Sequence, residues 1–219
     1  IKNKADRLFQ LISQFLDFRK VINEKYTLCI KQENLPQLLT NIKEDFSAIA
    51  QQKNIILEYY NDMVCEYFWC DKEVIRKICF NLLSNAIKYT PENGRIAIYS
   101  SQSSDNSTVH ISVEDTGIGI DEKEIDKIFD RFYQVPGTVG GTGVGLNLCK
   151  NLATLHLGNI SVKSHIGEGS IFTLEIPNTK EAYQGLIEEE PDIHTSVIPT
   201  NDHTDTQEKA RNKPLILVI

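Results

Sequence analysis

A mixed β-sheet with helices layered on one face is the fold class that this sequence predicts, and three observations carry it. Segments of alternating apolar residues occur both before and after segments of helical period. Several strand candidates follow one another across short polar or glycine-containing turns, as hairpins do. Two glycine clusters, Asp115-Thr116-Gly117-Ile118-Gly119 and Gly140-Gly141-Thr142-Gly143-Val144-Gly145-Leu146, stand where a strand ends and where a helix begins. Strands interleaved with helices in this way suit a sheet covered on one side.

Taken in order, residues 1–24 read as a helix without Pro or Gly. Ile1, Ala5, Leu8, Ile12, Phe15 and Ile22 follow a four-three spacing, with Arg19 the polar occupant of the seam. Such a stripe suits a helical bundle or dimer. A short strand is expected over Thr27 to Lys31 and a helix from Leu35 to Gln51, where Leu38, Leu39, Ile42, Phe46, Ile49 and Ala50 form one face. Ile55 to Tyr60 alternates like a strand. The next helix follows Asp71, a fitting N-cap, and ends near Thr90-Pro91. Arg95 to Ser101 and Thr108 to Glu114 pair across a polar loop. A helix is expected from Thr142 to His156, closed by Gly158, and strands over Ile160 to Ser164 and Ser170 to Ile176 complete the sheet. Beyond Pro177, residues 178–212 are rich in Glu, Asp, Thr and Pro and read as a flexible linker. Lys213 to Ile219 then resumes as a buried-type strand, the start of a further domain.

The 219 residues carry 23 Lys and Arg against 30 Asp and Glu, a net charge of −7. That balance argues against a nucleic-acid partner, which calls for clustered basic residues. No apolar run is long enough to span a bilayer and no signal peptide opens the chain, so no membrane contact is expected. With Ile1 first and Met63 the single methionine, the chain is expected to be a piece of something longer. The five cysteines form no C-x-x-C pair and have no histidine at ligand spacing. Reduced, mostly buried thiols are the expectation rather than a zinc site.

The chemistry lies in the helix after Asp71 and in the glycine clusters. At about 100° of rotation per residue, Asn85 falls about 40° and Lys88 about 20° from Asn81, so two carboxamides and an ammonium share a stripe. Asn is a mediocre helix former, so a purely solvated face is a poor explanation for the pair. Carboxamide oxygens can ligate Mg²⁺, and Lys88 can offset phosphate charge. Glycines let backbone N–H groups approach a ligand, and a helix N-terminus adds positive potential, which together make an anion site. Three phosphates and a metal need these parts, so the chain is expected to bind ATP. Asp115, at the end of a strand, is either a turn residue or the acceptor of a hydrogen bond from the exocyclic amine of adenine. Between the clusters, Phe129, Phe132 and Tyr133 suit the anchors of a mobile lid. Arg131 either meets the γ-phosphate or pairs with Asp130 or another acid at the surface.

The order of motifs is more specific than any one of them. Asn81 to Tyr89 (Asn-x-x-x-Asn-x-x-Lys-Tyr), Asp115 to Ile120 (Asp-x-Gly-x-Gly-Ile), Phe129 to Tyr133 (Phe-Asp-Arg-Phe-Tyr), Gly141 to Leu146 and Gly167 to Ser170 (Gly-Glu-Gly-Ser) follow one another. This arrangement resembles the ATP-binding domain of sensor histidine kinases over residues 1 to about 177. The resemblance implies a two-layer α/β sandwich preceded by a bundle helix, with residues 25–177 as the catalytic domain. Residues 1–24, with Leu16-Asp17-Phe18-Arg19-Lys20, resemble the second helix of that family's dimerisation and phosphotransfer domain. Residues 213–219 resemble the first strand of a receiver.

It further implies that Asn81 and Asn85 take Mg²⁺, that Lys88 meets phosphate with Tyr89 beside the nucleotide, and that Asp115 holds adenine. Gly141, Gly143 and Gly145 would shape the lid hinge and phosphate cradle. Gly117, Gly119, Ile120, Arg131, Phe132, Thr142, Val144, Leu146 and Thr173 complete the implied nucleotide contacts, with Asn81, Lys88 and Arg131 in the catalytic roles. Val144 stands where a larger aliphatic is common, and Ser170 where threonine is usual. The implied partners are a phosphoacceptor helix of the same protein or its dimer mate, and a C-terminally fused receiver. The implied setting is the cytoplasmic side of an inner-membrane sensor. None of the five histidines, His110, His156, His165, His194 and His203, is followed by an acid on a helix, so the phosphoacceptor is expected outside this sequence. ATP-driven clamps of the same superfamily carry a glutamate at the position of Asn81, which cannot accept a proton from water. Those clamps and the anti-sigma serine kinases are the alternatives.

Overall fold

Seven strands and four α-helices occur among residues 26–136 and 142–185, which are the residues that this computed structural model describes. The expected bundle helix over 1–24, the expected strand over 213–219, most of the expected linker, and Gly140 and Gly141 lie outside the described residues.

Each long helix starts at a capping side chain or at a glycine. Helix α1 (Leu35–Gln52) begins at Asn34, whose Oδ1 accepts from Gln37 N at 2.8 Å, and Pro36 occupies its first turn. It buries Leu35, Leu38, Leu39, Ile42, Phe46 and Ala50 along one stripe. Helix α2 (Lys72–Tyr89) begins at Asp71, whose Oδ1 accepts from Glu73 N at 2.9 Å and Val74 N at 3.2 Å. Glu73 in its first turn and Lys88 in its last complement the helix dipole. Ile75, Ile78, Leu82 and Leu83 are fully buried; each such side chain contributes about 1.5–3 kcal/mol relative to exposure. A short helix α3 (Glu122–Ile125) follows the first glycine cluster, and α4 (Gly145–Leu155) follows the second.

The strands are β1 (Lys31–Asn34), β2 (Ile56–Asp62), β3 (Tyr67–Cys70), β4 (Arg95–Gln102), β5 (Thr108–Asp115), β6 (Asn159–His165) and β7 (Gly169–Pro177). Five form a sheet in the order β2-β4-β5-β7-β6, with β2 parallel to β4 and the other pairs antiparallel. The mixed sheet with helices on one face is therefore the observed fold. Helix α1 packs on β2 and β4, α2 on β5, and α4 on β6 and β7. Alternation along β5 sends Val109, Ile111, Val113 and Asp115 to the helix side and Ser112 and Glu114 to the other. On that other face Tyr60 stacks on Tyr99 at 5.3 Å and Arg95 Nε donates to Glu58 Oε2 at 2.8 Å.

Four details differ from the sequence expectation. Strand β3 pairs with β1 in a separate two-stranded sheet, and that pairing moves β1 from the expected Thr27–Lys31 to Lys31–Asn34. Helix α4 starts at Gly145, three residues after Thr142. Its end is a Schellman turn, with Gly158 N donating to Ala153 O and Leu157 N to Thr154 O. The left-handed residue of that turn is Leu157 (φ 59°) rather than Gly158, which is small because a Cβ there would lie 2.1 Å from Glu175 O. Finally, the domain does not end at Pro177. Asn178 Oδ1 accepts from Trp69 N, and Tyr183, in a 3₁₀ turn (Glu181–Tyr183), is fully buried. Cys70, Cys79 and Cys149 are buried, and burial pushes the Cys70 and Cys79 thiols up to about 12; Cys29 and Cys65 are exposed.

Candidate nucleotide site

Helix α2 is the spine of the site. Asn81 Nδ2 donates to Lys77 O at 2.9 Å, one turn back, which fixes the carboxamide and turns Oδ1 outward. Opposite it sits the first residue of α4: a Cβ on Gly145 would lie 2.9 Å from Asn81 Oδ1. The helix N-terminus and the asparagine stripe are thereby in contact, and only glycine permits that spacing. Val144, at the N-cap, makes no side-chain cap bond and no acid occupies the first turn of α4, so neither offsets the positive end of its dipole. Asn85, one turn further along α2, is half-buried, and Lys88 is exposed with Nζ 2.6 Å from Tyr89 Oη and 4.3 Å from the ring centre.

The other end of α2 meets the first glycine cluster. Asp115 is 7% exposed at the end of β5, and its Oδ1 accepts from Gly117 N at 2.8 Å. A Cβ on Gly117 would lie 2.5 Å from Asp115 Oδ1 and 2.8 Å from Tyr89 O, so this loop also closes on the helix only through glycine. Burial raises the Asp115 carboxyl to about 6, against the lowering effect of backbone hydrogen bonds from Gly117 and Ser170. From Asn81 to Tyr89 a helix advances about 12 Å. A helix N-terminus with carboxamides thus lies at one end of this stretch of α2, and a buried carboxyl at the other.

Glycines further out shape the walls. Gly119 (φ 69°) lies against His165, where a Cβ would come within 1.9 Å of the carbonyl oxygen. Ile120 N donates to Ser164 Oγ at 2.8 Å, and Ser164 Oγ lies 2.9 Å from Ser170 Oγ. Ser170 is the register partner of Asp115. The segment between the clusters is clipped at its base: Phe132 N donates to Gly143 O at 2.9 Å, and a Cβ on Gly143 (φ 66°) would lie 2.4 Å from Phe132 C. Ile128 and Phe129 anchor the segment in the core, while Arg131 and Phe132 (62% exposed) project outward. Val144 is buried, and Thr142 and Leu146 are half-buried.

One expected contact is not brought here. Thr173 lies on the opposite face of β7 from Phe172 and Leu174, its Oγ1 2.9 Å from Ser112 Oγ on the far side of the sheet. The period of two decides this: with Ser170 paired to Asp115, Thr173 faces the other way. Ser164 and Ser170 are the neighbours that sequence reasoning missed as site residues. The Gly-Glu-Gly-Ser turn pointed to Ser170, whereas nothing local marks Ser164.

Comparison with known proteins agrees with this architecture. Residues 70–180 match the family described as histidine kinase-, DNA gyrase B- and HSP90-like ATPase. Histidine kinase P4 of Formosa agariphila is 34% identical over 186 residues, covering 81% of this chain. The chain spans 13% of that relative's own length. Among solved structures, the catalytic domain of histidine kinase ThkA is 31% identical with a TM-score of 0.61, covering 68% of this chain and 98% of that one. Full-length ShkA in complex with AMPPNP is 27% identical with a TM-score of 0.73, covering 81% and 37%. ThkA in complex with the response regulator TrrA is 27% identical with a TM-score of 0.66, covering 82% and 50%. The chain belongs to the histidine kinase-, DNA gyrase B- and HSP90-like ATPase family, and carries the ATP-binding catalytic domain of its sensor histidine kinase branch.

Proposed function

We propose that this domain holds Mg·ATP along α2 and delivers the γ-phosphoryl group to a histidine on a bundle helix outside this sequence, for relay to a receiver aspartate. The observation that carries the reading is the juxtaposition along α2, with the N-terminus of α4 against Asn81 and the buried Asp115 about 12 Å further along. An elongated ligand with anionic charge at one end and a hydrogen-bond donor at the other matches it.

In this reading Asp115 accepts from the adenine amine, and the N–H groups opening α4 cradle phosphate. Lys88 and Arg131 offset phosphate charge. Asn81 and Asn85 present hard oxygen donors of the kind Mg²⁺ takes, and the Lys77 carbonyl holds the Asn81 amide so that oxygen rather than nitrogen faces outward. The ion would neutralise phosphate charge when bound. Transfer breaks the bond from Pγ to the bridging oxygen of ADP and forms a bond from Pγ to an imidazole nitrogen. No glutamate stands at Asn81 to activate water, which disfavours hydrolysis and the clamp reading. A homodimer with a phosphoacceptor helix belongs to the same reading. The ThkA complex with its response regulator supports a receiver as the next partner. Among the described residues no helix is long and apolar enough to cross a membrane.

Isothermal calorimetry tests the site. ATP should bind with an affinity that falls sharply on adding EDTA or on Asn85→Ala. Equal affinity in that variant would sink the metal assignment.

A further inference from the structure

The segment that leaves the domain is fastened to a buried node that the candidate nucleotide site does not use. Tyr183 and His156 are both fully buried, and Tyr183 Oη lies 2.8 Å from His156 Nδ1 and 2.9 Å from Pro177 O. On its other side the same ring accepts from Asp71 N, 3.0 Å from Nε2. That last bond fixes the tautomer, because a backbone N–H can only donate, so Nε2 carries no proton. The ring proton then sits on Nδ1 and goes to Tyr183 Oη, whose own proton goes to the Pro177 carbonyl. Every donor and acceptor in the chain is used once, and the imidazole is neutral.

Asp71 is more than an end point. Its Oδ1 caps α2 at Glu73 N and Val74 N, and its Oδ2 accepts from Cys29 N at 2.9 Å. The segment ahead of β1 and the helix that carries Asn81, Asn85 and Lys88 meet at Asp71, and the segment that leaves the domain reaches it through the His156 ring. The leaving segment is tied at two further points. Trp69 N donates to Asn178 Oδ1 at 3.3 Å, and Lys180 Nζ stands 5.7 Å from the centre of the Trp69 ring. We propose that Tyr183, His156 and Asp71 form an acid-sensitive latch that holds the exit segment, residues 178–183, on the N-terminus of α2, so that releasing the segment loosens the helix bearing the asparagine stripe.

The groups facing the ring are the Asp71 carboxylate before α2, the Tyr183 hydroxyl on the exit segment and, behind Tyr183, the Cys70 thiol of β3. A surface ion pair, Lys72 with Glu33, stands next to Asp71. Burial lowers the His156 pKa, and the opposing pull of the Asp71 carboxylate is the smaller effect. Protonation would put a second donor against Asp71 N and break the chain of bonds. Because folding favours the neutral ring, the latch is at full strength above about pH 6.5 and weakens as pH falls below it.

The whole 219-residue chain supplies the test, and its single tryptophan lies at the fastening. Nitrogen chemical shifts of His156 at neutral pH should show an unprotonated Nε2. Amide exchange at Trp69 and Asp71, corrected for its intrinsic pH dependence, should quicken between pH 7.5 and 5.5. In Tyr183→Phe the His156 Nδ1–H loses its acceptor, which frees the ring and the segment, and the two amides should exchange about tenfold faster at pH 7.5. A proton on Nε2 overturns the latch, and so does exchange at these amides that ignores pH. Should Tyr183→Phe fail to fold, these two wild-type measurements decide alone. If it folds with wild-type exchange, the latch is likewise wrong. Weaker ATP binding in Tyr183→Phe is the one consequence that rests on the nucleotide reading. A wild-type chain that binds no ATP would refute that reading while leaving the exchange results to judge the latch.

Discussion

Asp115 combines burial with a fixed hydrogen bond from Gly117, and the two have opposite effects on its charge. Burial dominates and raises the carboxyl to about 6. Folding therefore favours its protonated form, so its contribution to stability falls as pH rises from about 4 towards 6 and is constant above. Nucleotide affinity should run the other way, because an adenine amine needs the ionised acceptor. ATP binding should thus weaken by one proton's slope as pH drops through 6, and a flat pH profile would show that Asp115 does not touch the base. In Asp115→Asn the new Oδ1 can keep Gly117 while the amide donor faces the adenine amine. A loss of about 1.5–3 kcal/mol in ATP binding is expected by calorimetry. Gly145→Ala separates fold from function differently. Its Cβ would meet the tip of the Asn81 side chain at 2.9 Å, and a carboxamide can turn aside without disturbing the backbone. Thermal stability should change little, whereas Mg·ATP affinity should drop roughly 10–100-fold, as when groups orienting a metal ligand are disturbed.

Elements with strong local signals were legible in the sequence, and elements defined by a partner were not. Helices α1 and α2 carry caps, periodic apolar stripes and stops, and their bounds agree with expectation within a residue or so. Strand β1, Lys-Gln-Glu-Asn, has no apolar alternation and exists because β3 pairs with it. Strand β3 itself is four residues long, too short for a period to register. The end of α4 was misread because Gly158 advertises a cap, while tertiary packing against Glu175 explains that glycine and Leu157 takes the left-handed position. Leu157 is 52% exposed, so little packing is lost on truncating it. Leu157→Gly should raise stability, since a left-handed non-glycine residue costs about 1–2 kcal/mol, partly offset by the freer unfolded chain. A rise of a few tenths to about 1 kcal/mol in denaturant unfolding is expected; a fall would mean the Leu157 side chain contributes packing.

At the scale of the molecule, motif order conveyed the site better than composition conveyed its limits. The polar residues after Pro177 read as linker, yet three of them, Asn178, Lys180 and Tyr183, bind back onto β3 and α4. Thr173 shows the same limit in reverse, since its face depends on the register of β7 against β5 rather than on its own surroundings. The layout of the candidate site, by contrast, follows from local rules: a cap, an asparagine stripe and glycines where two backbones meet. What such a layout does not include is a nucleophile. Phosphoryl transfer needs an in-line acceptor at near-attack distance, and the protein's share is position and charge. Among the five histidines, His156 is buried with both ring nitrogens engaged, and His110 lies on a strand with its Nδ1 3.6 Å from Glu175. The chain should therefore bind ATP labelled at the γ-phosphate without labelling itself. Adding a separate fragment with the phosphoacceptor helix should produce label on that fragment, lost in acid as a phosphoramidate is. Acid-stable label on Ser or Thr of the isolated chain would instead point to the serine kinases of the same superfamily.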